Sequence, residues 1–152
     1  MKQSHSGIRS ILTATFLITL VTLGFSAPAF SQDCVQKRST PKAPDSIAKL
    51  ENPLQATPEN TSAGQELFNH TAKPLACIQC HGINGNGHGM MARGMEPKPR
   101  DFTCSAMMSQ IPDGQLFWII KNGSQGTGMM AYKALEENQI WQLILHIRHL
   151  GK

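Results

Sequence analysis

Aromatic side chains are scarce in this 152-residue chain, which has six Phe, two Trp and one Tyr. So few large side chains limit the apolar core, and a small domain stays marginal unless something staples it. Also missing is an apolar run of the ~20 residues needed to span a bilayer; the longest, Ile11 to Phe25, has about 15, broken by Thr, Ala and Gly. There is no basic tract interleaved with aromatics, and Lys plus Arg exceed Asp plus Glu by only 14 to 10. Nucleic acid is therefore not an expected partner. No internal repeat and no convincing strand pattern appear, which leaves a mostly helical domain with long loops.

What the beginning of the chain does carry is an export pattern. Lys2 and Arg9 flank the start of the apolar run, and Ala27-Pro28-Ala29 offers the small residues that signal peptidase prefers. Residues 1–31 are read as a signal peptide, with a retained membrane anchor as the weaker alternative, so no stable membrane insertion is expected after cleavage. Loss of Lys2 and Arg9 takes the formal charge from +4 to +2. Residues 32–60 hold Pro41, Pro44, Pro53 and Pro58 among polar residues. They read as an extended Pro-rich arm along the domain surface, with one helical turn over Asp45 to Leu50.

The domain itself spans residues 61–152. Thr61 or Ser62 is expected to cap a first helix running to about His70, in which Gly64 hints at a close crossing with another helix. Gly82 to Gly94 is loop, extended by Pro97 and Pro99. A second helix is expected over Asp113 to Lys121, stopped by Asn122-Gly123. The last is the clearest: Ile140, Leu143, Ile144, Ile147 and Leu150 recur at three and four, behind Glu136 and Glu137 at the positive end of the helix dipole.

Cys77-Ile78-Gln79-Cys80-His81 carries the chemistry. Two thiols on one helical turn point to one side and can each add to a haem vinyl group, while the next residue offers an imidazole to the iron. The second ring nitrogen is expected to donate to a backbone carbonyl in the following loop. A thioredoxin-like redox pair would sit in a strand–helix fold, and no such pattern surrounds this one. A zinc site would want a second ligand pair, which Cys34 and Cys104 do not form in sequence. A covalent haem would also supply the apolar centre that the aromatic count lacks.

The iron's other face needs a donor, and seven methionines follow the motif: Met90, Met91, Met95, Met107, Met108, Met129 and Met130. Most methionines are adaptable filler. Met129 stands out in Gly126-Thr127-Gly128-Met129, a loop between two helices where backbone can approach a flat cofactor, with Met130 the near rival. A thioether ligand raises the reduction potential above that of a second imidazole and fills the last coordination position. Both features point to a one-electron carrier rather than an enzyme. A peroxidase-like enzyme with an empty sixth site is the competing class.

Five ordered motifs then meet a known pattern. They are Gly64…Phe68, Cys77-Ile78-Gln79-Cys80-His81-Gly82, Pro99-Arg100-Asp101-Phe102, Lys121-Asn122-Gly123…Gly126-Thr127-Gly128-Met129 and Gln139-Ile140-Trp141…Ile147-Arg148. The chain resembles class I cytochromes c, the bacterial periplasmic monohaem sort, from about Thr61 to Gly151. The resemblance implies an all-α cytochrome c fold, with three to four short helices and long loops around one haem c. It implies thioether links at Cys77 and Cys80, axial ligation by His81 and Met129, and a first helix crossing the last at Gly64, with Phe68 and Trp141 nearby. Transient docking to redox-partner proteins in the periplasm is the matching expectation, with a permanent electron-transfer subunit of a dehydrogenase or reductase as the alternative. Related chains commonly carry proline where Met90 and Met130 stand, an aromatic where His146 stands, and a shorter link than Asn69 to Ala76. Met90's carbonyl is then the candidate acceptor for the His81 ring proton.

Cys34 and Cys104 are left over. Either they form a disulfide that clamps the arm to the domain, or they are two free thiols. Arg93, Lys98 and Arg100 are either a solvated loop or a ring about the haem edge. His70, His88 and His149 read as surface residues, with His88 a minor candidate ligand, and His146 as packed between helices.

Overall fold

The computed structural model describes Met1 and residues 34–152. The expected signal peptide, apart from Met1, lies outside the described residues. Among them there is no strand, and no helix is long and apolar enough to cross a membrane. The helices are α1 (Asp45–Ala48), α2 (Pro58–Glu66), α3 (Ile78–His81), α4 (Ser105–Met108), α5 (Asp113–Asn122) and α6 (Glu137–Leu150). Three of these exceed a single turn, so the all-helical class expected from the sequence holds.

α2 begins earlier than the sequence suggested. Thr57, not Thr61 or Ser62, is its cap: the Thr57 hydroxyl accepts from the Asn60 backbone N–H at 3.3 Å. By composition Pro58 belongs with the arm, yet proline suits a first helical position, where no backbone donor is needed. At its other end α2 continues as a π-helical stretch, Leu67–Thr71, which takes up part of the long link into the cysteine motif. α4 was not foreseen, since Ser105-Ala106-Met107-Met108 is too short to show a period.

α6 starts on a capping box, in which Glu136 accepts from the Gln139 backbone and the Gln139 side chain answers to the Glu136 N–H. Its stripe of Ile140, Leu143, Ile144 and Ile147 is buried. α2 crosses α6 at Gln142 and His146. A β-carbon at Gly64 would overlap the Gln142 carbonyl oxygen, so only glycine permits the two backbones to come this close. Phe68, one turn on, is fully buried and meets the His146 ring edge-on at 5.1 Å. Trp141 instead stacks on Phe117 of α5 at 4.5 Å.

The arm is fastened to the domain along its length. Cys34 and Cys104 form a disulfide with Cα atoms 5.6 Å apart. The Ala43 N–H donates to the Gln115 side chain, which itself donates to the Pro41 carbonyl. The Gly114 N–H donates to the Leu50 carbonyl, and Asn52 donates to the Trp141 carbonyl. α1 thereby rests on α5.

Candidate functional site

α3 is one helical turn that presents Cys77, Cys80 and His81 to a single cleft. The His81 N–H donates to the Cys77 carbonyl at 2.9 Å, closing the turn. The following loop folds back on it through Gly87 N–H to the His81 carbonyl at 2.8 Å and Gly89 N–H to the Cys80 carbonyl at 3.0 Å. Gly87 has φ +79°, and a β-carbon there would stand 2.5 Å from the Pro99 carbonyl oxygen. Glycine at this point lets the Pro99–Arg100 segment lie beside the histidine.

His81 is buried and stacks on Phe102, with ring centroids 4.3 Å apart and planes 17° apart. Its Nδ1 donates to the Arg100 carbonyl oxygen at 3.0 Å. The acceptor is thus Arg100, not Met90, whose side chain is largely exposed on a 3₁₀ turn. A carbonyl can only accept, so the proton belongs on Nδ1 and the Nε2 lone pair is free for a ligand. Nε2 has no hydrogen-bond partner among the described residues. Burial above all holds the imidazole down to about 4, aided by the positive charges of Arg38 and Arg100 and opposed by the Arg100 hydrogen bond. The ring is neutral at ordinary pH, the form that binds metal.

Burial, more than any other effect, pushes the Cys77 thiol up to about 12, and it also raises Cys80. Neither is a thiolate at neutral pH, which fits a pair awaiting covalent attachment better than a redox-exchanging pair. Tyr132 backs this turn. Its hydroxyl donates to the Leu75 carbonyl at 2.7 Å, just ahead of the motif, while its N–H donates to the Ile120 carbonyl at 3.0 Å. It ties the cysteine turn to the stretch that follows Met129.

The cleft measures about 1020 Å³, counting the space open to solvent at its mouth. Met129 lines it together with Cys77, Cys80 and His81. The Met129 loop is held by Met129 N–H to Thr127 Oγ1 at 3.1 Å and Ser124 N–H to the Met129 carbonyl at 3.0 Å. Of the seven methionines after the motif, only Met95, Met129 and Met130 reach the cleft. Met107 and Met108 are core residues, while Met90 and Met91 are exposed. Two thiols, a neutral imidazole nitrogen and a thioether in one apolar cleft are a donor set that haem c fits.

The basic cluster divides. Arg93 and Lys98 are exposed, whereas Arg100 is half-buried in the cleft wall. Beside Arg100 stand Arg38 and Thr40, two arm residues that sequence reasoning missed. A signal existed: Arg38 follows Cys34 by four residues and Arg100 precedes Cys104 by four, so an antiparallel pairing of the two segments about the disulfide brings them together. His88 is exposed and does not line this cleft, and His146 is buried between helices as expected.

A helical domain whose thiol-thiol-imidazole turn opens on an apolar cleft is a c-type cytochrome. The cytochrome c family model matches residues 61–151, and the chain belongs to that family. Its cofactor is therefore covalently bound haem c. Among solved structures, a chain of the Kuenenia stuttgartiensis reducing HAO-like protein complex Kustc0457/Kustc0458 is similar, at 25% identity and a TM-score of 0.55. The match covers 69% of this chain and 49% of that one, so this chain spans about half its neighbour's length. No curated protein matches.

Proposed function

We propose that the chain carries single electrons through a haem c joined to Cys77 and Cys80 and ligated by His81 and Met129, in the periplasm after removal of residues 1–31. The observation that supports this most directly is the convergence on one cleft of both thiols, the His81 imidazole and the Met129 thioether. Bound there, haem supplies a ferric/ferrous couple. His81 contributes a neutral, oriented nitrogen whose basicity the Arg100 carbonyl enhances. Met129 would supply a second protein donor to the bound iron, which would leave no open site for oxygen or substrates and favour the reduced state. The apolar walls exclude water, and the ligand loops are already set by hydrogen bonds, so little rearrangement accompanies a change of charge. Transient docking to redox partners completes the reading.

A second reading has one observation in its favour. The similar solved chain belongs to a multi-protein complex, which supports a permanent electron-transfer subunit. A large partner that co-purifies through several steps would favour it.

The test is optical spectroscopy of protein made in a host with cytochrome maturation. Low-spin iron with a thioether-to-iron charge-transfer band is expected in the oxidised protein and should vanish in Met129→Ala. A colourless or high-spin wild-type protein would overturn the carrier reading.

A further inference from the structure

The loop that carries Met129 is stitched to itself. Thr127 Oγ1 donates to the Ser124 carbonyl at 2.7 Å and accepts from the Met129 N–H at 3.1 Å, while the Ser124 N–H donates to the Met129 carbonyl at 3.0 Å. These bonds shape the loop without tying it to any other segment. It meets another segment at Met95: a β-carbon on Gly128, the residue before Met129, would stand 3.3 Å from both the sulfur and the methyl carbon of Met95.

That contact, rather than the turn, accounts for glycine at position 128. Gly126 has φ +79° and open space around it, whereas Gly128 is not among the positive-φ glycines, so its backbone suits any residue. What a side chain there would lack is room beside the Met95 thioether. Met95 in turn begins a stretch that also serves the histidine. Met95, Pro97 and Pro99 line the cleft while Glu96 and Lys98 are exposed, and the stretch ends on the Arg100 carbonyl that receives the His81 ring proton. Its two prolines limit how far it can flex.

We infer that Met95 is a positioning residue for the axial methionine: its thioether packs against Gly128 and restrains the Met129 loop, so that Met129 leaves the iron less readily. This rests on the haem-bound reading above, in which His81 and Met129 are the ligands. An unbranched thioether suits such an irregular gap. Without the contact the loop swings away more often, and a competing ligand meets a larger fraction of open sites.

Titrating the oxidised, haem-loaded protein with imidazole, followed by loss of the thioether charge-transfer band, measures that fraction. Met95→Ala should keep the band before imidazole is added and bind imidazole about three- to tenfold more tightly than wild type. Met95→Leu, which restores most of the volume without sulfur, should stay within about twofold. Met108→Ala removes a buried methionine that does not line the cleft. It should lower the denaturant midpoint and leave imidazole affinity alone, which separates the contact from a general loss of stability.

A cycle with Gly128→Ala reads the contact itself. Against Met95 the new methyl group presses the loop outward and should tighten imidazole binding; in Met95→Ala it fills the vacated space and should weaken it. Stiffening of the loop acts equally in both backgrounds and gives no such reversal. Gly128→Ala alone still reads the contact if Met95→Ala folds poorly. An intact band with unchanged imidazole affinity in Met95→Ala, or the same effect of Gly128→Ala in both backgrounds, would overturn the inference. Loss of the band in Met95→Ala before imidazole is added overturns it too, since Met95 would then be the ligand. A wild-type protein without the band ends the ligation reading, and this inference with it.

Discussion

His81 and Arg100 are joined by a 3.0 Å hydrogen bond from ring Nδ1 to backbone carbonyl oxygen. The bond spans the glycine-rich loop and fixes both the tautomer and the ring plane. It lies in an interior where burial holds His81 near 4 and also lowers His146, the latter helped by the charge of His149.

Stability should therefore fall in mild acid. The ordinary value of both rings is 6.5, so the unfolded chain takes up these protons first as pH drops. The contribution is complete above pH 6.5 and is lost as pH falls through the window toward 4. Iron bound at the His81 Nε2 carries that ring's share to still lower pH, so in the haem-loaded protein the decline in this window comes from His146. Denaturant midpoints of the haem-loaded protein should fall across the window in wild type and fall less in His146→Phe; a flat wild-type profile would refute the His146 contribution.

Three sulfurs reach the cleft, and they should not be equivalent. Met95 rests against the backbone at Gly128, where a β-carbon would touch its sulfur at 3.3 Å, and Met130 is 38% exposed. Met95→Ala and Met130→Ala should keep the thioether charge-transfer band that Met129→Ala loses. Met129→His should give low-spin iron with a lower reduction potential. Retention of the band in Met129→Ala, with loss in Met130→Ala, would move the ligand by one residue.

Gly64→Ala sets helix propensity against packing. Alanine improves an isolated helix by about 1 kcal/mol. Here its methyl group would overlap the Gln142 carbonyl, and separating α2 from α6 should cost more, for a net loss of about 2–4 kcal/mol. Ser62→Ala, exposed on the same helix, is the control and should stay within about 0.5 kcal/mol. Urea melts of both variants decide it.

The arm depends on its bridge. Cys34 and Cys104 are 70 residues apart, and loop-closure models give about 4 kcal/mol for a link of that length. The Cys34→Ser plus Cys104→Ser variant should lose stability on that order and lose hydrogen-exchange protection over residues 34–57. Alkylation of native protein without reductant should leave both cysteines unlabelled, and two labelled thiols there would remove the bridge from the account.

Parts of this architecture are written locally. α6 was legible because a 3.6-residue apolar period over fourteen residues has one simple outcome. α5 was legible for the same reason, with Gly123 as its stop. Thr57 was overlooked because Pro58 resembles its neighbours in the arm until a helix is seen to begin there. The acceptor for His81 was misplaced because Arg100 reaches it only by way of a loop whose path is set by contacts such as Gly87 against Pro99.

The adjacent cysteines and histidine, the export pattern and the α6 stripe belong to the sequence by itself, since each depends on residues within a few positions of one another. Only the tertiary structure decided that Met95 and Met130 share the cleft with Met129, that Arg100 steadies the histidine, and that Arg38 arrives from a distant arm. Those relationships join segments tens of residues apart. Their geometry is set by the α2–α6 crossing and the disulfide, which no local pattern of side chains encodes.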